Sequence, residues 1–376
     1  MEHYLDNAAT TAVCPEAVRA AVEAMEECYG NPSSTHLKGR RAAALVSQGR
    51  KQLADALGCL SGEVVFTSCG SESDNWALRA GAEAAKRSGK HIISSLAEHD
   101  AVRKALDLLE RQGWEITRLK PGKDGAVNTE DVEAALREDT ALVSLMMVNN
   151  ETGGITDIAR IARMLRAHGS AALLHTDAVQ AFMKVPFSAG TLGADLISIS
   201  GHKIHAPKGI GALYIRKGLR LPPFLVGGSQ EDGRRAGTEA VPQIVAFGAA
   251  AEAAHAKMAE NVRVMAELKA QIPGKLRAHI PELLVIESGA PHIVNLSLPG
   301  WRSEVLMNYL EAKEIYVSKS SACKKGGRSH VLEAMGLPSR VIDGSLRLGL
   351  SRYTTQEDVD ALCCALIEAH DTLAHH

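Results

Sequence analysis

A lysine lies near the middle of the chain, at the end of the sequence Ser200-Gly201-His202-Lys203. The short apolar segment before it, residues 196–200, is predicted to form a strand. In open α/β sheets, ligands bind beyond the carboxyl ends of the strands. A lysine at such a place can form a Schiff base with a carbonyl cofactor. A surface lysine in a loop would explain the same four residues, and the segment alone leaves both interpretations open.

A second candidate is Asp177, which ends the apolar segment 173–177 about 26 residues before Lys203. A cofactor that withdraws electrons through a pyridinium ring needs a carboxylate beside its ring nitrogen. Asp177 at a strand end is well placed for that role. Taken by itself, an aspartate here is equally typical of a helix N-cap.

A third segment, residues 66–75, reads as a strand, a turn of small residues and the start of a helix. Backbone N–H groups and the Ser71 hydroxyl at a helix N-terminus would make an anion site. A capping box from Ser71 to Asp74 explains the same residues without any ligand.

A cysteine, Cys323, lies in the glycine-rich and basic segment 320–330, beside Lys324, Lys325 and Arg328. Nearby cations favour the thiolate, which is the nucleophilic form of cysteine. An incidental surface cysteine is the alternative interpretation of this segment.

The elements that must position these residues alternate between strand and helix patterns, which favours an α/β fold with a largely parallel sheet. Strands are predicted at residues 64–68, 91–95, 114–119, 142–148, 173–177, 196–200 and 212–215, with helices at 73–86, 101–111 and 158–167. A long alanine-rich helix, 242–271, is predicted to lead out of this large domain. The remainder, with strands near 293–298, 315–317 and 346–350, indicates a smaller α+β domain.

Composition excludes several classes of protein. The chain has 376 residues and a formal net charge of -2, so no basic excess points to nucleic acid. The length favours two domains. The first residues do not resemble a signal peptide, and no apolar run is long enough to span a membrane. Seven scattered cysteines indicate reduced thiols and a cytoplasmic location. We expect no metal site.

Ten short segments occur in the order found in a known family, at residues 4–11, 30–34, 66–75, 148–153, 175–180, 200–203, 207–214, 227–231, 235–238 and 345–347. Together they resemble the class V aminotransferases and, within them, the NifS/IscS-like cysteine desulfurases. The resemblance implies a fold-type I fold that binds pyridoxal 5'-phosphate (PLP), with a mostly parallel seven-stranded sheet and a smaller α+β C-terminal domain. It places an N-terminal segment at residues 1–14, packed with the small domain, a large PLP-binding domain at 15–255, and a small domain with the catalytic cysteine at 256–376.

The same resemblance implies roles around the cofactor ring. Lys203 binds PLP covalently and moves the proton at the substrate Cα. Asp177 keeps the pyridine nitrogen protonated, and Gln180 donates to the ring hydroxyl. His99 stacks on the ring and can transfer a proton to or from the substrate.

The PLP phosphate is expected to contact Gly70, Ser71, Ser200 and His202, and also Thr238 from the partner subunit of a homodimer. Cys69 departs from the family, which usually has glycine at this position. A thiol is therefore expected near the phosphate.

Asn150 and Arg347 are expected to bind the substrate carboxylate, Arg347 through both arms of its guanidinium. Cys323 is expected to attack the sulfur of L-cysteine, which leaves alanine and a persulfide. An iron–sulfur scaffold or a tRNA-thiolation enzyme would then accept the sulfur. The Cys323 loop is about two residues shorter than the common form in the family, which puts its reach in doubt.

Other functions fit parts of this pattern. A selenocysteine lyase or another class V aminotransferase is the nearest alternative, although a simple transaminase needs no cysteine in such a loop. A PLP-binding regulator would carry a DNA-binding helix-turn-helix, which residues 1–60 do not resemble. A catalytically inactive docking partner would not need Lys203, Asp177, His99 and Cys323 together.

Overall fold

The computed structural model describes residues 2–320 and 327–373. Cys323, Lys324 and Lys325 lie outside the described residues. The strands, in chain order, are β1 (His3–Tyr4), β2 (Val64–Thr67), β3 (His91–Ser95), β4 (Glu115–Leu119), β5 (Thr140–Ser144), β6 (Leu173–Asp177), β7 (Leu196–Ser200), β8 (Gly211–Ile215), β9 (Leu284–Ile286), β10 (Ile293–Ser297), β11 (Ile315–Tyr316), β12 (Ser318–Lys319) and β13 (Ser345–Gly349).

The helices lie between and around these strands. They are α1 (Pro15–Glu26), α2 (Leu37–Leu57), α3 (Gly70–Ala85), α4 (Asp100–Arg111), α5 (Thr129–Ala135), α6 (Ile158–Ala167), α7 (Ala189–Leu192), α8 (Val241–His255), α9 (Met258–Arg277), α10 (Ser303–Glu311), α11 (His330–Ala334), α12 (Ser339–Asp343) and α13 (Gln356–Thr372).

A seven-stranded sheet forms the centre of the large part of the molecule, with the strand order β2-β8-β7-β6-β5-β3-β4. Only β8 runs antiparallel to its neighbours in this sheet. Strands β2, β3, β5, β7 and β8 are buried along their whole length, as expected for a sheet covered by helices on both faces. The α/β fold with a mostly parallel seven-stranded sheet is confirmed. Because β6 and β7 are parallel neighbours, Asp177 and Ser200 emerge at the same edge of the sheet.

A second, four-stranded antiparallel sheet with the order β12-β13-β10-β9 has its own apolar core. Helices α9 and α13 supply buried side chains to this core, including Leu268, Ile272, Leu362 and Leu366. Near the N-terminus, β1 pairs in parallel with β11. The exact limits of the three expected domains stay a prediction.

Two details of the predicted elements are wrong. The single helix expected at 242–271 is two helices, α8 and α9, which are separated at Ala256 and Lys257. Helix α8 buries Phe247 in the core beside the seven-stranded sheet, whereas α9 buries Leu268 in the core of the four-stranded sheet. The chain therefore changes direction between the two helices, because each packs in a different core. The strand expected at 142–148 ends at Ser144, although Leu145 and Met147 still donate to backbone carbonyls of β6. The chain then turns at residues 149–152, where the Asn149 side chain accepts the backbone N–H groups of Glu151 and Thr152.

No helix within the described part of the chain is long and apolar enough to cross a membrane.

Candidate active site

A cavity of about 340 Å³ lies where the carboxyl ends of β6 and β7 face the small sheet. Among its lining residues are ten that the sequence predicted: Gly70, Ser71, His99, Asn150, Asp177, Gln180, Ser200, His202, Lys203 and Arg347. Of the predicted site residues that the structure describes, only Thr238 does not line the cavity; it is exposed.

Lys203 lies in a short 3-10 turn, Gly201–Lys203, directly after β7. A Cβ atom at Gly201 would lie 2.7 Å from Cγ2 of Ile210, so only glycine fits between this turn and the start of β8. The Lys203 ammonium donates to the carbonyls of Ala8 and Ala9, at 2.7 and 2.6 Å. These contacts hold the amine at the cavity wall, so the surface-loop interpretation of Lys203 is wrong.

Asp177 ends β6 and is 6% exposed. One carboxylate oxygen accepts the backbone N–H of Val179 at 2.9 Å, and no helix follows for it to cap. Burial raises the pKa of Asp177, and the charges of His99 and Lys203 act in the opposite direction. A cationic ring nitrogen placed beside this carboxylate would supply the charge partner that the buried group lacks.

The first turn of α3 and the end of β7 form a cradle for an anion. Helix α3 begins at Gly70, so Ser71 lies inside the helix and the capping box from Ser71 to Asp74 is wrong. The N–H groups of this first turn have no acceptor within the helix. The Ser200 hydroxyl, 1% exposed, has no hydrogen-bond partner among the described residues. A Cβ atom at Gly70 would lie 2.8 Å from Cγ2 of Val179, and therefore glycine is required here.

These observations fit PLP. The cradle offers backbone donors and an unsatisfied hydroxyl for a phosphate, while Asp177 and Lys203 lie on the same cavity wall for the ring nitrogen and the aldehyde carbon.

Two histidines complete this wall. His99 is the N-cap of α4, and its Nδ1 accepts the backbone N–H of Ala101 at 3.2 Å. Nε2 of His99 is therefore the nitrogen that carries the proton in the neutral ring. Burial, with a further contribution from Lys203, lowers the pKa of His202 to about 4. His202 is thus neutral near pH 7, and its Nδ1 lies 3.2 Å from the Thr10 hydroxyl.

Gln180 is held by groups that sequence reasoning did not identify. Its Nε2 donates to the Ala8 carbonyl at 2.8 Å, and its Oε1 accepts from the Lys184 ammonium at 3.4 Å. Lys184 is 5% exposed, and burial lowers its pKa to about 7. His292 also contacts Oε1, at 3.4 Å. Oε1 is thus engaged by two groups, while Nε2 is the donor of the amide, and Ala8, which accepts from it, also lines the cavity.

The opposite wall of the cavity belongs to the small sheet. Arg347, in the middle of β13, donates to the Asn150 carbonyl and pairs with the Asp6 carboxylate, each at 3.1 Å. The Arg347 side chain is 3% exposed, and its Nε has no hydrogen-bond partner within the described ranges. A buried guanidinium with an unsatisfied donor is suited to a small carboxylate ligand.

Residues on both sides of Cys323 lie at this cavity, because Ser320 and Arg328 are among its lining residues. The Ser320 hydroxyl is held by Asn295 at 2.8 Å and by Ser345. On the other side of the segment, Ser329 caps α11 and donates to the Glu151 carboxylate.

Comparison with known proteins agrees with this geometry. The family model for the class V aminotransferases matches residues 3–362. The chain belongs to the class V aminotransferase family. Cysteine desulfurase 2 from Trichormus variabilis is 44% identical over 362 residues, covering 95% of this chain and 90% of that protein. Cysteine desulfurase IscS from Methanosarcina thermophila is 45% identical over 365 residues, with 95% and 89% covered. A solved NifS-like protein superposes with a TM-score of 0.93 at 36% identity, covering 99% of this chain and 100% of that one.

The resemblance inferred from the ten segments is thereby confirmed, and class V aminotransferases are PLP enzymes. In this class V chain, Cys69 is the N-cap of α3 and lines the cavity, as its position in the sequence predicted. A Cβ atom at Gly211 would lie 2.7 Å from the Cys69 carbonyl carbon, so β8 passes directly behind the phosphate cradle.

The class V site also contains buried acids that sequence reasoning missed. Burial raises the pKa of Glu98 to about 8 and that of Glu151 to about 7. Burial also raises the pKa of Asp74 well above its ordinary value, and the Asp177 charge adds to the effect. Asp74 and Glu151 line the cavity. The only signal in the sequence was that each acid lies close to a predicted site residue. Asp74 is near Ser71, Glu98 precedes His99, and Glu151 follows Asn150.

The loop that carries Thr238 is tied to the phosphate cradle. Arg235 donates twice to Glu72 in the first turn of α3, at 2.9 and 3.1 Å. Glu231 accepts two bonds from Arg50, at 2.6 and 2.7 Å, and a third from the Phe66 backbone at 3.1 Å. These bonds fix the loop of this class V chain, while Thr238 itself is exposed.

Proposed function

We propose that this protein is a PLP-dependent cysteine desulfurase, which converts L-cysteine to L-alanine and retains the sulfur as a persulfide on Cys323. One observation carries the proposal. Asp177, Lys203 and Arg347 line the same cavity as Ser320 and Arg328, the described residues that flank the Cys323 segment. Similarity to proteins named cysteine desulfurase supports the same activity.

PLP, when bound, would withdraw the electrons released by bond cleavage at the substrate Cα. Its phosphate would be held by Gly70, Ser71, Ser200 and His202, its ring nitrogen by Asp177 and its ring hydroxyl by Gln180.

Arg347 and Asn150 hold the substrate carboxylate and so orient the Cα–H bond toward the lysine. Lys203 removes the Cα proton and later returns a proton. His99, with Nε2 protonated when neutral, is positioned to donate or accept a proton at the substrate.

The Cys323 thiolate attacks the sulfur of the substrate, forming an S–S bond as the substrate Cβ–S bond breaks. The electron pair of that bond stays with the carbon skeleton, which takes up a proton at Cβ and leaves as alanine. The net change converts L-cysteine and the Cys323 thiol into L-alanine and a Cys323 persulfide, without an external oxidant. A protein acceptor then removes the outer sulfur.

Mass spectrometry of the peptide that contains Cys323, after the holoenzyme is incubated with L-cysteine, tests this proposal. A single added sulfur on Cys323 is expected. Cys323→Ser should form no persulfide and release little sulfide, whereas Cys364→Ser, which changes an exposed cysteine of α13, should behave as wild type. A sulfur adduct on Cys59 or Cys69 instead of Cys323 would contradict the assignment.

We further propose that two chains form a two-fold homodimer in which Thr238 reaches the phosphate of the partner site. The exposed position of Thr238 outside the cavity of its own chain supports this arrangement. Helix α1 also exposes Val18, Val22 and Met25 at helical spacing, an apolar stripe suited to a subunit contact. Thr238→Val should weaken PLP retention with little effect on sedimentation. A monomer that retains PLP fully at low concentration would disprove the composite site.

A further inference from the structure

A second cavity, of about 480 Å³, lies in the small domain beside the active-site cavity. The two cavities share Ser320 and Arg328 as wall residues. A molecule bound in the second cavity would therefore lie next to both described ends of the Cys323 segment.

The second cavity has an excess of positive charge. Its lining includes four cations, Arg302, Lys319, Arg328 and Arg340, and two carboxylates, Glu304 and Asp343. The carboxylates are already engaged, because Glu304 pairs with Lys319 at 3.0 Å and Asp343 accepts both arms of Arg328 at 2.7 Å.

Arg302 and Arg340 remain without an ion-pair partner in residues 2–320 and 327–373, although Arg302 lies close enough to contribute to the lowered pKa of Asp343. Both guanidinium groups are exposed and available to a ligand. The excess over the two carboxylates is thus about two positive charges.

The backbone adds to this preference for anions. Helix α10 starts within the second cavity, with Arg302 as its N-cap, and the Arg302 side chain accepts no hydrogen bond from the first-turn amides. Helix N-termini carry a partial positive charge and favour carboxylates. The positive helix end, the two arginines and the concave wall therefore point to the same kind of ligand.

We propose that the second cavity binds an acidic peptide segment of the thiol protein that takes the sulfur from Cys323. This inference rests on the proposed desulfurase function. The volume accommodates a few side chains, and the net charge of -2 gives the whole molecule no general attraction for nucleic acid. In the transfer, the acceptor thiolate attacks the outer persulfide sulfur, the enzyme S–S bond breaks, and Cys323 leaves as a thiolate. The acceptor becomes the persulfide, and no oxidant is consumed.

A pair of synthetic thiol peptides tests the proposal. One has three glutamates before a Gly-Cys-Gly end, and the other has three glutamines instead. With holoenzyme and L-cysteine at low salt, mass spectrometry should show persulfide forming on the acidic peptide about tenfold faster, at the lower end of electrostatic steering effects. The Arg302→Gln/Arg340→Gln variant should lose this preference, while its alanine production with dithiothreitol as acceptor stays at the wild-type rate.

The matched control is Arg111→Gln/Arg163→Gln, which removes two exposed arginines from α4 and α6 beside the large sheet and should keep the preference. Equal rates for the two peptides, or a preference that survives in Arg302→Gln/Arg340→Gln, would disprove the proposal.

Fluorescence anisotropy of a labelled acidic peptide without cysteine measures binding separately from turnover. Loss of binding in Arg302→Gln/Arg340→Gln alone is the expected result, and binding equal to wild type would contradict the proposal. If wild type binds the peptide but makes no alanine, the desulfurase function fails and the binding site stands.

Discussion

Asp177 and Ser200 reach the active-site cavity from the ends of adjacent parallel strands, whereas Arg347 reaches it from the small antiparallel sheet. On the large-sheet side, which we call the cofactor wall (Gly70, Asp177, Ser200 and Lys203), the contacts within the chain are mainly to backbone groups. On the other side, the substrate wall (Asn150, Ser320, Arg328 and Arg347), Arg347 and Arg328 pair with carboxylates.

The two walls therefore differ in how their polar groups are prepared for a ligand. The cofactor wall leaves the buried Ser200 hydroxyl without a hydrogen-bond partner among the described residues, and it buries the Asp177 carboxyl, which raises the pKa of that group. Such groups are costly until a ligand satisfies them, so they are suited to a resident cofactor. The charges of the substrate wall are already paired with Asp6 and Asp343, and only one donor of Arg347, Nε, is left without a partner among the described residues. That wall is therefore suited to a ligand that enters and leaves in every turnover.

The largest effect is expected from Lys203→Ala on the cofactor wall. The variant loses the amine held by the Ala8 and Ala9 carbonyls, so PLP should no longer attach covalently and nearly all alanine production should stop. Borohydride reduction followed by mass spectrometry measures the attachment. Lys208→Ala, which alters an exposed lysine of the same loop, should retain both properties. Normal turnover in Lys203→Ala would refute the role of this lysine.

A smaller loss is expected from Asp177→Asn. The amide keeps the shape of the side chain but removes the charge that would pair with the ring nitrogen. PLP should still bind, and kcat should fall by about 10² or more, as is typical for loss of a preorganised electrostatic partner. The absorbance of bound PLP measures cofactor binding, and steady-state alanine formation measures kcat. Wild-type kinetics in a fully loaded variant would place the essential carboxylate elsewhere.

On the substrate wall, Arg347→Gln should act mainly on KM. The variant loses the guanidinium donors that we propose hold the substrate carboxylate, and a hydrogen bond to a charged group is worth about 1.5–3 kcal/mol, or roughly 10–100-fold in KM for L-cysteine. The KM of Arg347→Lys should lie between those of Arg347→Gln and wild type, because lysine keeps the positive charge but lacks the planar guanidinium with its two parallel donors. A larger effect on PLP retention than on KM would assign Arg347 to the cofactor wall instead.

The sequence predicted the cofactor wall better than the substrate wall, for a physical reason. Asp177 and Lys203 follow apolar strands directly, so local pattern alone placed them at one sheet edge. Arg347 and Asn150 are brought together by a contact between residues 197 positions apart, and only the family resemblance indicated it. Lys184 and Glu98 were missed because burial alters their pKa, and burial of a charged residue has no local pattern.

The limits of the helices show the same difference between features that local sequence marks and features that depend on distant contacts. The start of α4 came within one residue of its predicted position, since the His99 cap is a local feature. The break between α8 and α9 was missed, because it depends on two separate cores and has no glycine or proline to mark it.

The smallest effect on activity is expected from Glu98→Gln. This substitution tests whether ionisation of a buried acid near the cofactor wall affects the stability of the fold. Glu98 accepts from the Ser95 hydroxyl at 2.7 Å and from the Met146 N–H at 3.0 Å through Oε1, and its Oε2 has no hydrogen-bond partner among the described residues. Glutamine can keep both bonds to Oε1. It also resembles the protonated acid, which is the form that burial favours by raising the pKa of Glu98 to about 8.

The sign of the pH dependence follows from this raised pKa. The carboxyl of Glu98 ionises near 4.5 in the unfolded chain and near 8 in the folded one. Wild type therefore loses stability from Glu98 as the pH rises from about 4.5 to 8, and the loss is constant above that range. Glu98→Gln should match wild type near pH 5 and melt about 2–5 °C higher at pH 9, with kcat within about twofold. Glu138→Gln, at an exposed position, should leave the melting temperature unchanged at both pH values. A melting temperature for Glu98→Gln that is raised equally at pH 5 and pH 9 would mean that packing, and not ionisation, sets the contribution of this residue.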